Sequence, residues 1–471
     1  MVRRDQDLAA ETNKLDQTII AAVSKPPNER NQGAEDKLRK RLADITIDRD
    51  RIQSTLSQKF PDYVALSRPQ PLSLQETQAL LADDEALLVF DFGAKSYAWI
   101  ITREGANWTE LKLSAQQLDA QVEALRAWLT DPRQRFNPEL AYKAYQETFG
   151  AFADRVATKK RLSIVTNGAL TSLPPQLLIT RDPAGKTLKQ MDWLIRSHAV
   201  TVLPSVASLK VLRGGTQASS ARKPMVAFAD PVFSKAARAR AQQVALRGLT
   251  SFYRGIQVDV AAVGEHLPQL PGTRREVQQI AAELKVQPAD VRLGLAATET
   301  AVKQAQLDQY RIVYFATHGL VSGDLQGFAN SRAEPALALT IPDKPNDFDD
   351  GLLTASEIAQ LKLNADWAVL SACNTAAEDK PGAEALSGLA RAFFYAGARS
   401  LLVSHWSVSD EATASLMIGT FRASTRDSTL SHAEALRQSI LAMLDGATSD
   451  AEADPRLWAP FVVAGEPAKP R

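Results

Sequence analysis

The sequence predicts an α/β protein on a mostly parallel sheet with helices on both faces, and three observations predict it. Short apolar runs without polar alternation, among them residues 311–316 (RIVYFA), 367–372 (WAVLSA) and 400–406 (SLLVSHW), read as strands buried on both sides. Helical stretches separate them, namely TASEIAQL, EALSGLARAFFYAG and the segments from Glu411 and from His432, an alternation that makes parallel crossovers. With 471 residues, 45% of them hydrophobic, the chain can bury a large core and divide into two or more domains.

Residues 1–71 form an expected N-terminal helical segment. After the turn-like SKPPNERNQG, charged residues alternate with Leu and Ile at helical spacing over 38–57. The basic run from Lys37 to Arg41 is hemmed in by Asp36, Asp44, Asp48 and Asp50, so it reads as a solvated helix face rather than a nucleic-acid patch. Pro61, Pro69 and Pro71 break the pattern and open a first half at 72–215. There, ALLVFDFG and SYAWIIT flank Gly93, Ala94 and Lys95 as a hairpin would. Further on, RLSIVTNGALTSLPPQLLI gives a strand that stops at Asn167-Gly168 before a helix start.

The small, polar stretch 214–223 (GGTQASSARK) reads as a surface linker to a second half at 216–471, which opens with PMVAFADP. Within it, 235–254 is rich in Arg without any acidic residue and reads as an exposed helix.

A net charge of +1 leaves no global field to draw the molecule to nucleic acid or an anionic membrane. With no apolar run of about 18 residues, we expect a soluble, cytoplasmic protein with no membrane partner. A single cysteine, Cys373, excludes an intramolecular disulfide and a multi-cysteine metal site. No glycine-rich phosphate loop follows any strand. We therefore expect no metal and no cofactor.

Two strands end in residues with chemistry to offer: RIVYFA runs into Thr317-His318-Gly319, and WAVLSA into Cys373-Asn374-Thr375. Beyond the carboxyl ends of strands in an open α/β sheet, loops converge on a rigid support and ligands bind. A thiol near its ordinary pKa is mostly protonated at neutral pH, and His318 could act as the base that supplies thiolate. Gly319 lets its backbone N–H turn into a cleft as an oxyanion donor. Taken alone, a cysteine is more often a small buried hydrophobe and a histidine a structural hydrogen-bonder. Matched strand ends, with Cys373 lying 55 residues after His318, argue for chemistry.

The segments FATHG, LLTASEI, LSACNT, GLARAFFYAGARSLLVSHWSVSDEAT and WAPFVVAG resemble the CHAT family of caspase-like, separase-related cysteine peptidases. NGALTSLPPQLL, VLPSVASL, ADPVF and LPGTRREV extend the resemblance over about 72–465. It implies a caspase-like catalytic domain preceded by a non-catalytic, caspase-related α/β half. It also implies His318 as general base, Cys373 as nucleophile, and the Gly319 and Cys373 backbone N–H groups as oxyanion hole. The implied activity is a cysteine endopeptidase working through a thioester, regulated by a partner protein or a repeat-containing sensor on another chain. The competing function is a catalytically silent scaffold on the same fold. Two departures stand out: Gly382-Ala383-Glu384-Ala385 replaces the usual Gly-Glu-Gly, and no tetratricopeptide repeats precede the region.

Ser404 to Asp410 (SHWSVSD) resembles a separase segment whose aspartates help form a pocket for a basic residue, and Asp410 matches the last of them. A carboxylate there accepts a bidentate pair from arginine, so cleavage after Arg or Lys is expected. Asp410 is equally suited to N-cap the helix that follows. Trp406 either lines the cleft or belongs to the core, His405 lies beside the site, and His432 is expected at the surface. The basic stretch 235–254 and Arg222-Lys223 are candidates for self-processing.

Overall fold

The computed structural model describes residues 8, 11–12, 15, 18–19, 31–59, 71–130, 134–214, 219–233, 267–320, 334–346, 348–372, 388–406 and 410–465. The chain divides into two compact units, 1–70 and 71–471. In the first, helix α1 (Gln32–Lys59) covers the stretch expected to be helical and is exposed along most of its length. Arg41 makes a bidentate pair with Glu11 at 2.7 and 2.9 Å, and Arg39 reaches Asp36 at 3.4 Å. These are solvated pairs worth little in stability.

The second unit is built on one sheet with eleven strands among the described residues. In chain order they are β1 (Glu85–Phe92), β2 (Ser96–Thr102), β3 (Gly105–Leu111), β4 (Arg161–Val165), β5 (Ala199–Val202), β6 (Lys223–Ala229), β7 (Val291–Leu293) and β8 (Tyr310–Ala316). A separate three-stranded sheet follows, formed by β9 (Gly319–Leu320), β10 (Ala336–Ala338) and β11 (Leu352–Thr354). The main sheet then resumes with β12 (Trp367–Ser371), β13 (Leu401–Ser404) and β14 (Phe461–Ala464).

The spatial order is β3-β2-β1-β4-β5-β14-β13-β12-β8-β6-β7. Strands β1, β4, β5 and β14 are mutually parallel, as are β13, β12, β8, β6 and β7. The two sets meet antiparallel at β13–β14. Carboxyl ends of the first set therefore emerge at the opposite edge of the sheet from those of the second. The hairpin expected around Gly93 is present, with Phe92 opposite Ser96. Strands β3 and β14 were not anticipated.

The halves expected at 72–215 and 216–471 thus contribute to a single sheet, joined by a strand from the end of the second. Helix α2 (Ala115–Thr130) and helix α3 (Pro138–Thr148) follow the hairpin. Asn137 caps α3 by accepting from the Leu140 N–H at 3.0 Å, and Pro138 fills the first turn, where its missing N–H costs nothing. Across the join, aromatic rings pack edge to face: Trp193 with Trp458 at 5.1 Å and Trp128 with Trp406 at 6.1 Å. Such pairs contribute beyond their buried area. Gln176, also buried, donates to the Ala459 and Phe461 carbonyls at 2.9 and 2.7 Å, tying the halves by hydrogen bonds.

Further helices are α4 (Ser208–Gly214), α5 (Pro271–Glu283), α6 (Gly388–Ala396), α7 (Asp410–Arg426) and α8 (His432–Gly446), with α7 packed against α5 and α8. Gly397 ends α6 at φ +109, where an added Cβ would sit 2.4 Å from the Leu363 carbonyl oxygen, so only glycine fits that turn. In the expected linker, Ser219 N–H donates to Asp366 at 3.0 Å and Asn364 donates to Ser220 at 2.8 Å; residues 215–218 lie outside the described set. No described helix is long and apolar enough to cross a membrane.

Candidate active site

Strands β8 and β12 run parallel with Ala316 opposite Ser371, so Thr317-His318 and Ala372 leave the sheet side by side. The Thr317 N–H donates to the Ser371 carbonyl at 3.2 Å, and its hydroxyl donates to the Ala338 carbonyl. The Ala338 N–H donates in turn to the His318 carbonyl at 2.9 Å. The backbone around His318 is therefore fixed from both sides, and Gly319 continues as β9 opposite Leu337.

The half-buried His318 ring packs against Phe233, centroids 5.2 Å apart. Its Nε2 lies 2.8 Å from the Pro268 carbonyl oxygen. A carbonyl can only accept, so Nε2 carries the hydrogen and the neutral ring's basic lone pair is on Nδ1. Pro268 is held in turn: the neighbouring Gln269 donates to Asp230 at 2.6 Å and to the Pro231 carbonyl at 2.8 Å, and Arg274 bonds Asp230 at 2.8 Å. Asp230, at the end of β6, adopts φ +50.

Cys373 lies outside the described residues, as do Gly382, Ala383, Glu384 and Ala385 and the basic stretch 235–254. Its strand is described as far as Ala372, whose carbonyl accepts from the buried Ser404 hydroxyl. Asp410 is the first residue of α7, and its side chain lies outside the described set together with Ser407, Val408 and Ser409.

Immediately after β13, His405 is 3% exposed and Trp406 6% exposed. The Trp406 indole N–H donates to the Arg456 carbonyl at 3.3 Å, and the Arg126 guanidinium stands over its ring at 5.9 Å. Both His405 ring nitrogens are buried without a hydrogen-bond partner. Burial, reinforced by the charge of Arg126, pushes its pKa down to about 3, so it is neutral. His432 departs from the surface position expected: it is half-buried and stacks on Trp367 at 4.2 Å, because its helix packs that face against the sheet. Burial lowers its pKa to about 4. Lys223 opens β6 and reaches Asp290 at 3.1 Å and the Tyr310 hydroxyl at 3.0 Å, while Arg222 is exposed.

A buried charge cluster supports the small sheet that carries Gly319. One Glu299 oxygen accepts from the Asp350 and Gly351 N–H groups at 2.8 and 3.0 Å, the other meets Lys303, and Lys303 also reaches Glu357 at 2.8 Å. Burial, reinforced by Glu357 and opposed by Lys303, raises the Glu299 pKa to about 7. Among the described residues, no group of His, Cys, Asp and Glu could hold a metal ion.

The CHAT domain profile matches residues 119–466. The chain belongs to the CHAT domain family. The matched region contains His318 and Cys373 and begins inside α2, so the β1–β3 hairpin precedes it while sharing its sheet. Human tetratricopeptide repeat protein 28 is 29% identical over 225 residues, 42% of this CHAT protein but 9% of that one. The Saccharomyces cerevisiae separase–securin complex aligns at TM-score 0.46 and 12% identity, over 98% of this chain and 37% of that chain. Gingipain R of Porphyromonas gingivalis, an Arg-specific cysteine proteinase, aligns at TM-score 0.39 and 10% identity over 76% of each chain.

Two partners of the site had escaped sequence reasoning. The Pro268 carbonyl is a backbone group, and no residue type announces it. Arg126 had one signal, a charge beside the apolar stripe Leu118, Val122, Leu125, Leu129 of α2.

Proposed function

We propose that this CHAT protein is a cysteine endopeptidase acting on a protein substrate. The observation that carries the reading is the hydrogen bond from His318 Nε2 to the Pro268 carbonyl, which orients the ring and favours the imidazolium formed during reaction. In the proposed sequence His318 Nδ1 takes the thiol proton of Cys373, and the thiolate attacks the substrate carbonyl. The Gly319 and Cys373 N–H groups hold the oxyanion. The imidazolium returns the proton to the leaving amine as the C–N bond breaks. Water, deprotonated by His318, then hydrolyses the thioester and regenerates the thiol.

Cleavage after Arg or Lys rests on the sequence position of Asp410, and Trp406 is proposed to flank that pocket. Residues 72–215 are proposed as a non-catalytic half that shapes the site, and a partner protein as the regulator. Because Cys373 is the only cysteine, alkylation by iodoacetamide reports on it alone. His318→Ala is expected to slow alkylation at neutral pH by about 100-fold. Wild-type protein is expected to hydrolyse Arg or Lys reporter peptides, and Cys373→Ala to abolish this. Alkylation indifferent to His318→Ala, with no turnover, would leave the scaffold reading instead.

A further inference from the structure

Two contacts of the His318 ring, with the Pro268 carbonyl and with Phe233, meet in one turn after β6. The Pro268 carbonyl belongs to the planar peptide that the Gln269 nitrogen completes, so whatever fixes Gln269 aims that oxygen. The Gln269 side-chain amide donates to the Asp230 carboxylate at 2.6 Å and to the Pro231 carbonyl at 2.8 Å. Asp230 is 7% exposed, and Arg274 of α5 holds its other oxygen at 2.8 Å. The Asp230 N–H donates to the Thr273 hydroxyl at 3.0 Å, in the first turn of the same helix. Three residues on, the buried Phe233 lies against the ring. Its approach is fixed by Val232, whose N–H donates to the Thr340 hydroxyl at 2.9 Å and whose carbonyl accepts from the Ile341 N–H at 3.2 Å. Asp230 stands at φ +50, a conformation that costs a non-glycine residue free energy and persists where surrounding bonds impose it.

We infer that Asp230 is a positioning residue for His318: its carboxylate anchors Gln269, and with it the Pro268 carbonyl, while its left-handed backbone directs Phe233 onto the ring face. The role rests on the reading of His318 as the base. The charged groups of this turn are Asp230 and, from α5, Arg274, and because each pairs with the other, Asp230 acts through geometry rather than through its field. A carbonyl held in line with Nε2 favours the imidazolium over the neutral ring. Releasing Gln269 therefore lowers the proton affinity of His318 without altering the ring itself.

The titration of the His318 ring, followed by NMR on full-length Cys373→Ala protein, tests this without turnover and without a thiol coupled to the ring. The signal missing from Cys373→Ala/His318→Ala identifies it. Asp230→Gly tolerates the turn and removes the acceptor, and the His318 midpoint is expected to fall by about one pH unit. Gln269→Ala should give the same fall with the Asp230–Arg274 pair intact, and it carries the test should Asp230→Gly not fold. Asp230→Asn keeps an acceptor and suits φ +50, so it should restore most of the fall. Structural weakening alone would lower the melting temperature and leave the midpoint in place. A midpoint unmoved in both variants, or moved in Asp230→Gly but not in Gln269→Ala, overturns the inference. So does failure of Asp230→Asn to restore it, which would make charge rather than anchoring the cause. With Cys373 intact, Asp230→Gly and Gln269→Ala should slow iodoacetamide alkylation at neutral pH about tenfold. Alkylation slowed by His318→Ala but by neither of them overturns the inference alone. Midpoints that move as expected, with alkylation indifferent to His318→Ala, sustain the positioning of the ring and overturn the peptidase reading alone.

Discussion

Two arginines drawn in from solvent, Arg213 and Arg126, both in the first half of one unit, have opposite surroundings. Arg213 makes a two-pronged pair with Glu85 at 2.8 Å on each prong, donates to the Leu80 carbonyl at 3.0 Å, and leaves Glu85 a further donor in Ser163 at 2.6 Å. Burial alone would raise the Glu85 pKa, but the hydrogen bonds and charge of Arg213 outweigh it and hold the carboxyl below its usual range. Arg126 has a carbonyl, an indole face and an unpartnered imidazole for neighbours. The same contrast separates the strand ends. Asn167, after β4, is bonded to the Phe92 N–H at 2.8 Å and to Asp91 at 2.7 Å, whereas His405, after β13, is bonded to nothing through its ring. Arg213 and Asn167 are met by side chains of their own neighbourhood. The His405 ring, one residue past β13, is not.

The contrast breaks most directly at its finished side. Glu85→Ala leaves the Arg213 charge buried and uncompensated, and denaturant unfolding is expected to show a loss of about 3–5 kcal/mol. Removing both charges in Glu85→Ala/Arg213→Met should recover most of it; a single-variant loss well under 1 kcal/mol would show that the pair does not hold the first half together.

A smaller effect comes from pH. The Glu299 pKa rises to about 7 from 4.5, so its contribution is fully present below pH 4.5 and is lost as pH rises through 7. His405 and His432, depressed to about 3 and 4 from 6.5, act oppositely: their contributions are present above pH 6.5 and are lost as pH falls toward 4. Stability in Glu299→Gln should therefore climb more steeply between pH 4.5 and 7 than in wild type, by at most about 1.4 kcal/mol per pH unit. Thermal melts across that range check the slope, and an unchanged slope contradicts the Glu299 assignment. Smallest is His405→Leu, which removes an unsatisfied polar group and should raise stability by about 1 kcal/mol. A loss of that size would mean that the imidazole has a partner in solution.

Much of this was legible in the chain. The apolar runs of β8, β12 and β13 declared buried strands, and Gly93 to Lys95 declared the hairpin, because short-range periodicity and turn chemistry are local properties. His318 could be singled out because strand, His and Gly are contiguous. What stayed hidden depends on distant partners. The carbonyl that orients His318 comes from Pro268, through a backbone atom common to every residue. His432 reads as a surface residue among Ala and Glu until Trp367 is placed under it. The opposed direction of the two strand sets follows from where β14 inserts, and nothing in FVVA specifies its neighbours.

That insertion has a consequence in time. Gln176 and Phe461, joined in the sheet's centre, are 285 residues apart in sequence. Synthesis proceeds at about 5–20 residues per second, so on a growing chain the inner edges of β5 and β13 wait, unpaired, until the last strand has been made. The corner that seats His405, whose N–H donates to the Pro460 carbonyl at 2.9 Å, closes only then. A chain made only as far as β13 holds both strand sets of the sheet but not their seam, and the candidate site is not closed until β14 joins them.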